Sequence, residues 1–160
     1  MPNAKNTIVL DDRSNIRDEA QANAALYPGY LLEKLSTGKV RAHATAGGSW
    51  GGHVALEDAL QGNGVDDAYA ANDLVFVATF RKGDKANLVL ADGETIVIGD
   101  LVESAGDGTI RKLQGESSAV QPEEPNSIVG EANEALDLSA SSGAESSGLL
   151  GDRRISIKIW

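Results

Sequence analysis

The alternation of apolar and polar positions is cleanest in Asp152 to Trp160, where Ile155, Ile157 and Ile159 fall on one side of a pleat and Ser156 and Lys158 on the other. This predicts a strand that closes a sheet. Its expected partner is Ser127 to Leu138, joined to it by a connection rich in serine and glycine, with a helix over Glu131 to Leu138 as the competing prediction. Asn87 to Leu113 reads as a meander. Leu88 and Leu90 oppose Val89, and after Asp92-Gly93 the residues Ile96 and Ile98 oppose Thr95 and Val97. Asp92-Gly93 and Asp107-Gly108 both suit a type I′ hairpin turn, which needs positive φ at its two central residues. Leu74 to Phe80 is apolar at most positions on both faces, so it is expected at the centre of a sheet.

Elsewhere the pattern is shorter. Tyr30 to Leu35 and Lys39 to Ala44, on either side of Ser36-Thr37-Gly38, have the spacing of a hairpin, and His53 to Glu57 makes another strand before a long turn-rich connection. Thr7 to Leu10 is a β-branched run that either joins the body's own sheet or adds to a sheet edge on another molecule. Asn15 to Leu26 fits a helix with Ser14 as N-cap, but it fits equally an extended segment with Ala20, Ala22, Ala24 and Leu26 on one face. The resulting expectation is a mainly β protein. A barrel-like or sandwich-like single domain over residues 28–160 follows an extended N-terminal arm over 1–27, with surface loops at 114–126 and 139–151.

Charge narrows the partners. Lysine plus arginine number 14 against 24 aspartate plus glutamate, a formal charge of -10 that repels phosphate backbones and anionic membrane surfaces, so neither nucleic acid nor membrane is expected. With no cysteine among 160 residues, disulfides, thiolate catalysis and sulfur-ligated metal are excluded. No apolar run is long enough to span a bilayer as a helix, and the start lacks the pattern of a signal peptide, so a soluble chain that is not exported by that route is expected.

Candidate chemistry is thin. His43 and His53 have no third ligand near them in sequence, and strand histidines without metal are the expectation. No G-x-S-x-G occurs, and Gly48-Ser49-Trp50-Gly51 lacks the spacing of a nucleophile elbow. Asp11-Asp12 and Asp66-Asp67 fit no EF-hand and read as solvated loop carboxylates. Gly62 to Gly64 and Ala46 to Gly48 lack the lysine of a phosphate loop. No enzyme, cofactor or metal is expected. Trp50, set among four glycines in Ala46 to Gly52, is either an anchor against the body or an exposed contact residue. With aromatics at only 4%, a carbohydrate face has few platforms to draw on.

Three stretches resemble the small head decoration, or cement, proteins of tailed bacteriophages. They are ANAALYPGYLLEKL running into KVRAHATAGG, then DAYAANDLVFVATFRKGDKANLVLADGETIVIGDLVESAGDGTIRKL, and finally SIVGEANEALDLS with RRISIKIW. The resemblance covers Ala22 to Trp160 and rests on glycines, turns and strand spacing. It implies a barrel or β-tulip-like body, made in the host cytoplasm, that binds the outer surface of an expanded capsid as a homotrimer. Its partner would be the major capsid protein, and there would be no catalytic residues. On that reading Asn6, Thr7, Ile8, Val9, Leu10 and Ile16 contact the shell or an adjacent subunit, and Trp50 is a further contact candidate. The alternative is a non-catalytic carbohydrate-binding accessory module with Trp50 as its stacking platform. The hairpin Ile98 to Leu113 also loosely resembles the half-barrels of biotinyl and lipoyl carrier domains, but Ala105-Gly106-Asp107-Gly108 stands where those domains present a lysine.

Overall fold

The computed structural model describes residues 6–11, 16–114, 128–141 and 153–160. The expected loops at 114–126 and 139–151 thus fall almost entirely outside the described residues. In chain order the strands are β1 (Ile16–Gln21), β2 (Leu32–Lys34), β3 (Val40–Ala42), β4 (His53–Ala55), β5 (Leu74–Thr79) and β6 (Lys85–Val89). There follow β7 (Thr95–Ile96), β8 (Leu101–Ser104), β9 (Ile110–Lys112), β10 (Ile128–Ala132), β11 (Leu136–Asp137) and β12 (Arg154–Ile159). No α-helix occurs among the described residues.

Antiparallel pairing arranges these strands as a five-stranded sheet in the order β6-β12-β10-β8-β9, a three-stranded sheet β1-β5-β4, and the pairs β2-β3 and β7-β11. The sheets do not close into a barrel. The period-2 alternation of β5 explains the layering: Val75 and Val77 enter one apolar cluster with Ala22, Leu26, Leu32, Val40 and Ala55, while Ala78 enters another with Leu88, Ile110, Ile155 and Ile157. Within the three-stranded sheet, β5 and β4 are therefore covered on both faces, between the five-stranded sheet and the β2-β3 hairpin, whereas β1 is largely exposed. β5 is its central strand, as its two apolar faces predict.

The pairing of β10 with β12 is the one expected, with Gly130 opposite Ile159 and Ala132 opposite Ile157, and it removes the helix considered over Glu131 to Leu138. The β2-β3 hairpin also forms as expected, with Leu32 opposite Ala42. Within Asn15 to Leu26 the extended alternative forms over Ile16–Gln21, where β1 pairs with β5 from Ile16 opposite Thr79 to Gln21 opposite Leu74. Beyond it the chain bends, so Ala22 and Leu26 are buried but Ala24, expected on their face, is exposed.

Other expectations are corrected. Asp92-Gly93 does not make a hairpin, because β6 pairs with β12 and β7 pairs with β11. Gly93 has φ 78° but Asp92 is not in the positive-φ region that a type I′ turn requires, so the chain leaves β6 for a different sheet. Asp107-Gly108 does lie between paired strands, β8 and β9, yet the positive φ values are at Gly106 (92°) and Gly108 (88°). Asp107 instead accepts from the Thr109 amide at 2.9 Å. This tip is not free: the Leu31 amide donates to the Gly108 carbonyl at 2.7 Å, and a Cβ on Gly108 would lie 2.7 Å from the Tyr30 ring. Ile98, expected on the face of Ile96, is 70% exposed because β7 ends at Ile96. On β12, Ser156 is buried where it was expected to face outward, since the second face of the strand is covered over Arg154 and Ser156, while Lys158 on that face is exposed as expected.

β12 also buries Arg154, which is 2% exposed. Its Nη1 donates to Asp66 Oδ1 at 2.6 Å, and its Nη2 donates to the Pro28 carbonyl at 3.0 Å and to the Val65 carbonyl. Asp66 is thus an ion-pair partner and not a merely solvated carboxylate. Replacing Arg154 with Met is expected to cost about 3 kcal/mol, because Asp66 loses its counter-charge and two carbonyls lose their donor. Arg154→Lys should recover little of this, as an ammonium lacks the planar fork that serves three acceptors. Urea denaturation midpoints of the two variants provide the measurement.

Candidate binding surfaces

Asn6 to Leu10 lies along the edge of the five-stranded sheet at β6. The Asn87 amide donates to the Ile8 carbonyl at 2.8 Å, the Leu10 amide donates to the Lys85 carbonyl at 3.0 Å, and Val9 bridges Ala86. Of the two fates open to Thr7 to Leu10, the structure places it on its own sheet. Alternation then decides what each residue can offer. Ile8 is 0% exposed in the core and its amide donates to Glu57 Oε2, while the Thr7 hydroxyl donates to Glu57 Oε1 at 2.6 Å. Leu10, at 43% exposed, and Asn6 remain at the surface. Ile16, at the start of β1, is 51% exposed.

β1 is the outer strand of the three-stranded sheet. The Ala22 amide donates to the Asp73 carbonyl at 2.9 Å, so the even-numbered residues of β1 bond inward to β5 and the odd-numbered ones present their amides outward. Asp18 guards this edge: its Oδ1 accepts from the outward Glu19 amide at 2.9 Å, and its Oδ2 pairs with Lys34 at 3.2 Å. Beside the edge, Leu56, Ala59, Leu60 and Phe76 line a groove of about 580 Å³ together with Arg17, Glu19 and Glu57.

Trp50 is half-buried and packs against the main core cluster, with Nε1 donating to the His53 carbonyl at 2.9 Å. It lines a cleft of about 630 Å³ that the glycine loop shares with Phe80, Lys82, Ile128, Ile159 and Trp160. The contact candidates therefore sit on three separate elements: the β6 edge, β1 and the glycine loop. Trp160 and Lys82 were not singled out from sequence. Nothing in the linear pattern links the loop around residue 50 to the end of β12, since that link is made by tertiary packing alone.

The two histidines serve the fold. His43 Nε2–H donates to the Ser49 carbonyl at 3.0 Å, which leaves Nδ1 to accept from the Ser104 hydroxyl at 2.7 Å and so ties the glycine loop to β8. His53 Nδ1 lies 2.9 Å from Thr79 Oγ1. Burial first, and then the Lys34 charge, holds His53 below its ordinary value of 6.5. Among the described residues no group of three or more His, Asp or Glu side chains is placed to hold a metal ion.

Comparison with protein families and with characterised proteins gives no match. Among solved structures the chain is similar to the crystal structure of the N base of the head fiber protein gp8.5 of bacteriophage phi29. The TM-score is 0.53 at 15% identity, over 92% of this chain and 95% of that one. At that identity the likeness is one of fold.

Titration of these groups sets an expected pH profile. Because His53 resists protonation when folded, the unfolded chain binds more protons below pH 6.5 and stability falls as pH drops through that value. Hydrogen bonds from the Ser139 hydroxyl, the Ser139 amide and the Thr95 hydroxyl hold Asp137 at about 2, so its contribution is present above the ordinary value of 3.8 and lost as pH falls toward 2. Melting midpoints recorded across pH are expected to show both declines, and His53→Asn is expected to flatten only the upper one.

Proposed function

We propose that this chain is a non-enzymatic structural protein of a phage head, attached to the outer surface of the expanded capsid through the major capsid protein and stabilising it as a homotrimer. The observation that carries this reading is the fold shared over nearly the full length of both chains with a head fiber base. Fold alone does not dictate function. The reading gains support from exposed apolar residues at Leu10 and Ile16, on two elements near the start of the chain, and from the engagement of Thr7, Ile8 and Val9 with the body, which holds Leu10 in place. The attachment surface on this view is built from Asn6, Thr7, Leu10 and Ile16, whereas Ile8, Val9 and Trp50 act by holding the body together.

The net charge of -10 favours an electropositive landing surface, which would speed encounter and make binding weaken with salt. Three copies on one trimer would act at high effective concentration once the first has docked, so each contact can be modest.

The test is sedimentation of purified protein with expanded, undecorated capsids. Wild-type protein is expected to saturate the shells, and the double substitution Leu10→Asp with Ile16→Asp is expected to lower occupancy at least about tenfold with an unchanged melting midpoint. Full occupancy by the double variant would refute this attachment surface. Failure of the wild-type protein to bind shells would refute the reading as a whole. Light scattering on free protein is expected to give the mass of three chains, the closed cyclic assembly that a threefold site requires.

A further inference from the structure

The chain has two tryptophans, far apart in sequence, and the fold brings both to the same cleft. One wall is the glycine loop. At Gly52, φ is 82° and a Cβ would lie 2.8 Å from the Phe80 carbonyl oxygen, so only glycine lets the loop run this close to the residue that follows β5. The Phe80 amide donates to the Gly52 carbonyl at 2.9 Å, and the bond from Trp50 Nε1 to His53 fixes the first indole. On the other side the Trp160 amide donates to the Val129 carbonyl at 3.2 Å, while its side chain stays 51% exposed. Lys82 Nζ stands 5.4 Å from the Trp160 ring centroid, and among the described residues no carboxylate pairs with it. The walls are thus set before any ligand arrives.

We propose that this cleft binds an acidic glycan. A pyranose has an apolar C–H face and a rim of hydroxyls. The first suits the exposed indole of Trp160, and the second suits the Ser49 hydroxyl and the amides of Gly51 and Gly52, three groups that bond to no described residue. An acidic substituent on the sugar supplies the counter-charge that Lys82 lacks, in a chain whose overall charge of -10 otherwise disfavours anions. A wholly apolar occupant would leave Lys82 and these amides desolvated without partners. The inference goes beyond head attachment, and it uses a different part of the molecule from Leu10 and Ile16.

Because both tryptophans line the cleft and the three tyrosines do not, tryptophan emission of the isolated full chain, excited selectively at the red edge of the indole band, reports on this site. The probes are tetragalacturonate, a chondroitin sulfate tetrasaccharide and neutral maltotetraose, with calorimetry as a second readout. Expected is a saturable emission change with at least one acidic probe and affinity roughly tenfold weaker for the neutral one. Trp160→Ala is expected to abolish binding by calorimetry. Lys82→Met is expected to lower acidic-probe affinity roughly tenfold, to the level of maltotetraose, with melting midpoints unchanged in both variants. Absence of saturation with all three probes would overturn the proposal, as would equal affinity for neutral and acidic probes or binding indifferent to either substitution. Since no capsid is present, these outcomes are independent of those for shell attachment.

Discussion

The buried guanidinium of Arg154 is the constraint on which the arrangement of layers rests. It projects from β12, an interior strand of the large sheet, and reaches segments that no strand pairing joins to β12: Pro28 ahead of the β2-β3 hairpin, and Val65 with Asp66 in the long connection between β4 and β5. A hydrophobic core specifies that layers pack but only loosely which loop lies where. A buried cation with a fixed fork of donors is stricter, because any other placement of those carbonyls leaves charge and polar groups unpaired in a dry interior. Asp66 is itself only one-third exposed, so its pairing with Arg154 is sheltered from solvent screening on one side.

With the layers held, the surface divides by element. Residues 6–10 and β1 flank the core at sheet edges, and both edges are occupied or guarded: β6 by the segment around Val9, β1 by the Asp18 carboxylate on the Glu19 amide. Exposed apolar side chains are thereby left standing on backbone that is already satisfied, which suits contact through side chains better than through strand addition. The glycine loop is organised differently. It is stitched through His43 to β8 and through Gly52 to the end of β5, and it presents its indole to a cleft instead of a flat face.

Much of this fold is legible in the chain, and the places where it is not have physical causes. Alternation in β5 and β12, and the turn at Gly38, report local geometry that tertiary structure preserves, so the central strand, the pairing of β10 with β12 and the first hairpin could be read directly. Asp92-Gly93 misleads because a turn dipeptide signals reversal but not the identity of the partner. There the edge of β6 is taken by β12, a competitor from far along the chain. Arg154 and Ser156 look outward on a two-faced pattern, and nothing local announces that a second layer covers that face. The candidate surfaces follow the same logic: Trp50 is conspicuous among glycines, whereas Lys82 and Trp160 become its neighbours only through packing.

The position of β12 within its sheet bears on how the protein is made. This strand lies between β6 and β10 and carries Arg154, yet it is among the last described residues to leave the ribosome. Until it arrives, β6 and β10 have no common neighbour, their apolar faces lack Ile155 and Ile157, and the long connection has nothing to grip Val65. The nascent chain therefore waits with open strand edges, and the large sheet assembles as a late, long-range step that needs β12. In a cysteine-free chain no covalent link can hold the earlier strands in place during that interval. The charge of -10 does part of that work by keeping half-formed copies apart in a crowded cell.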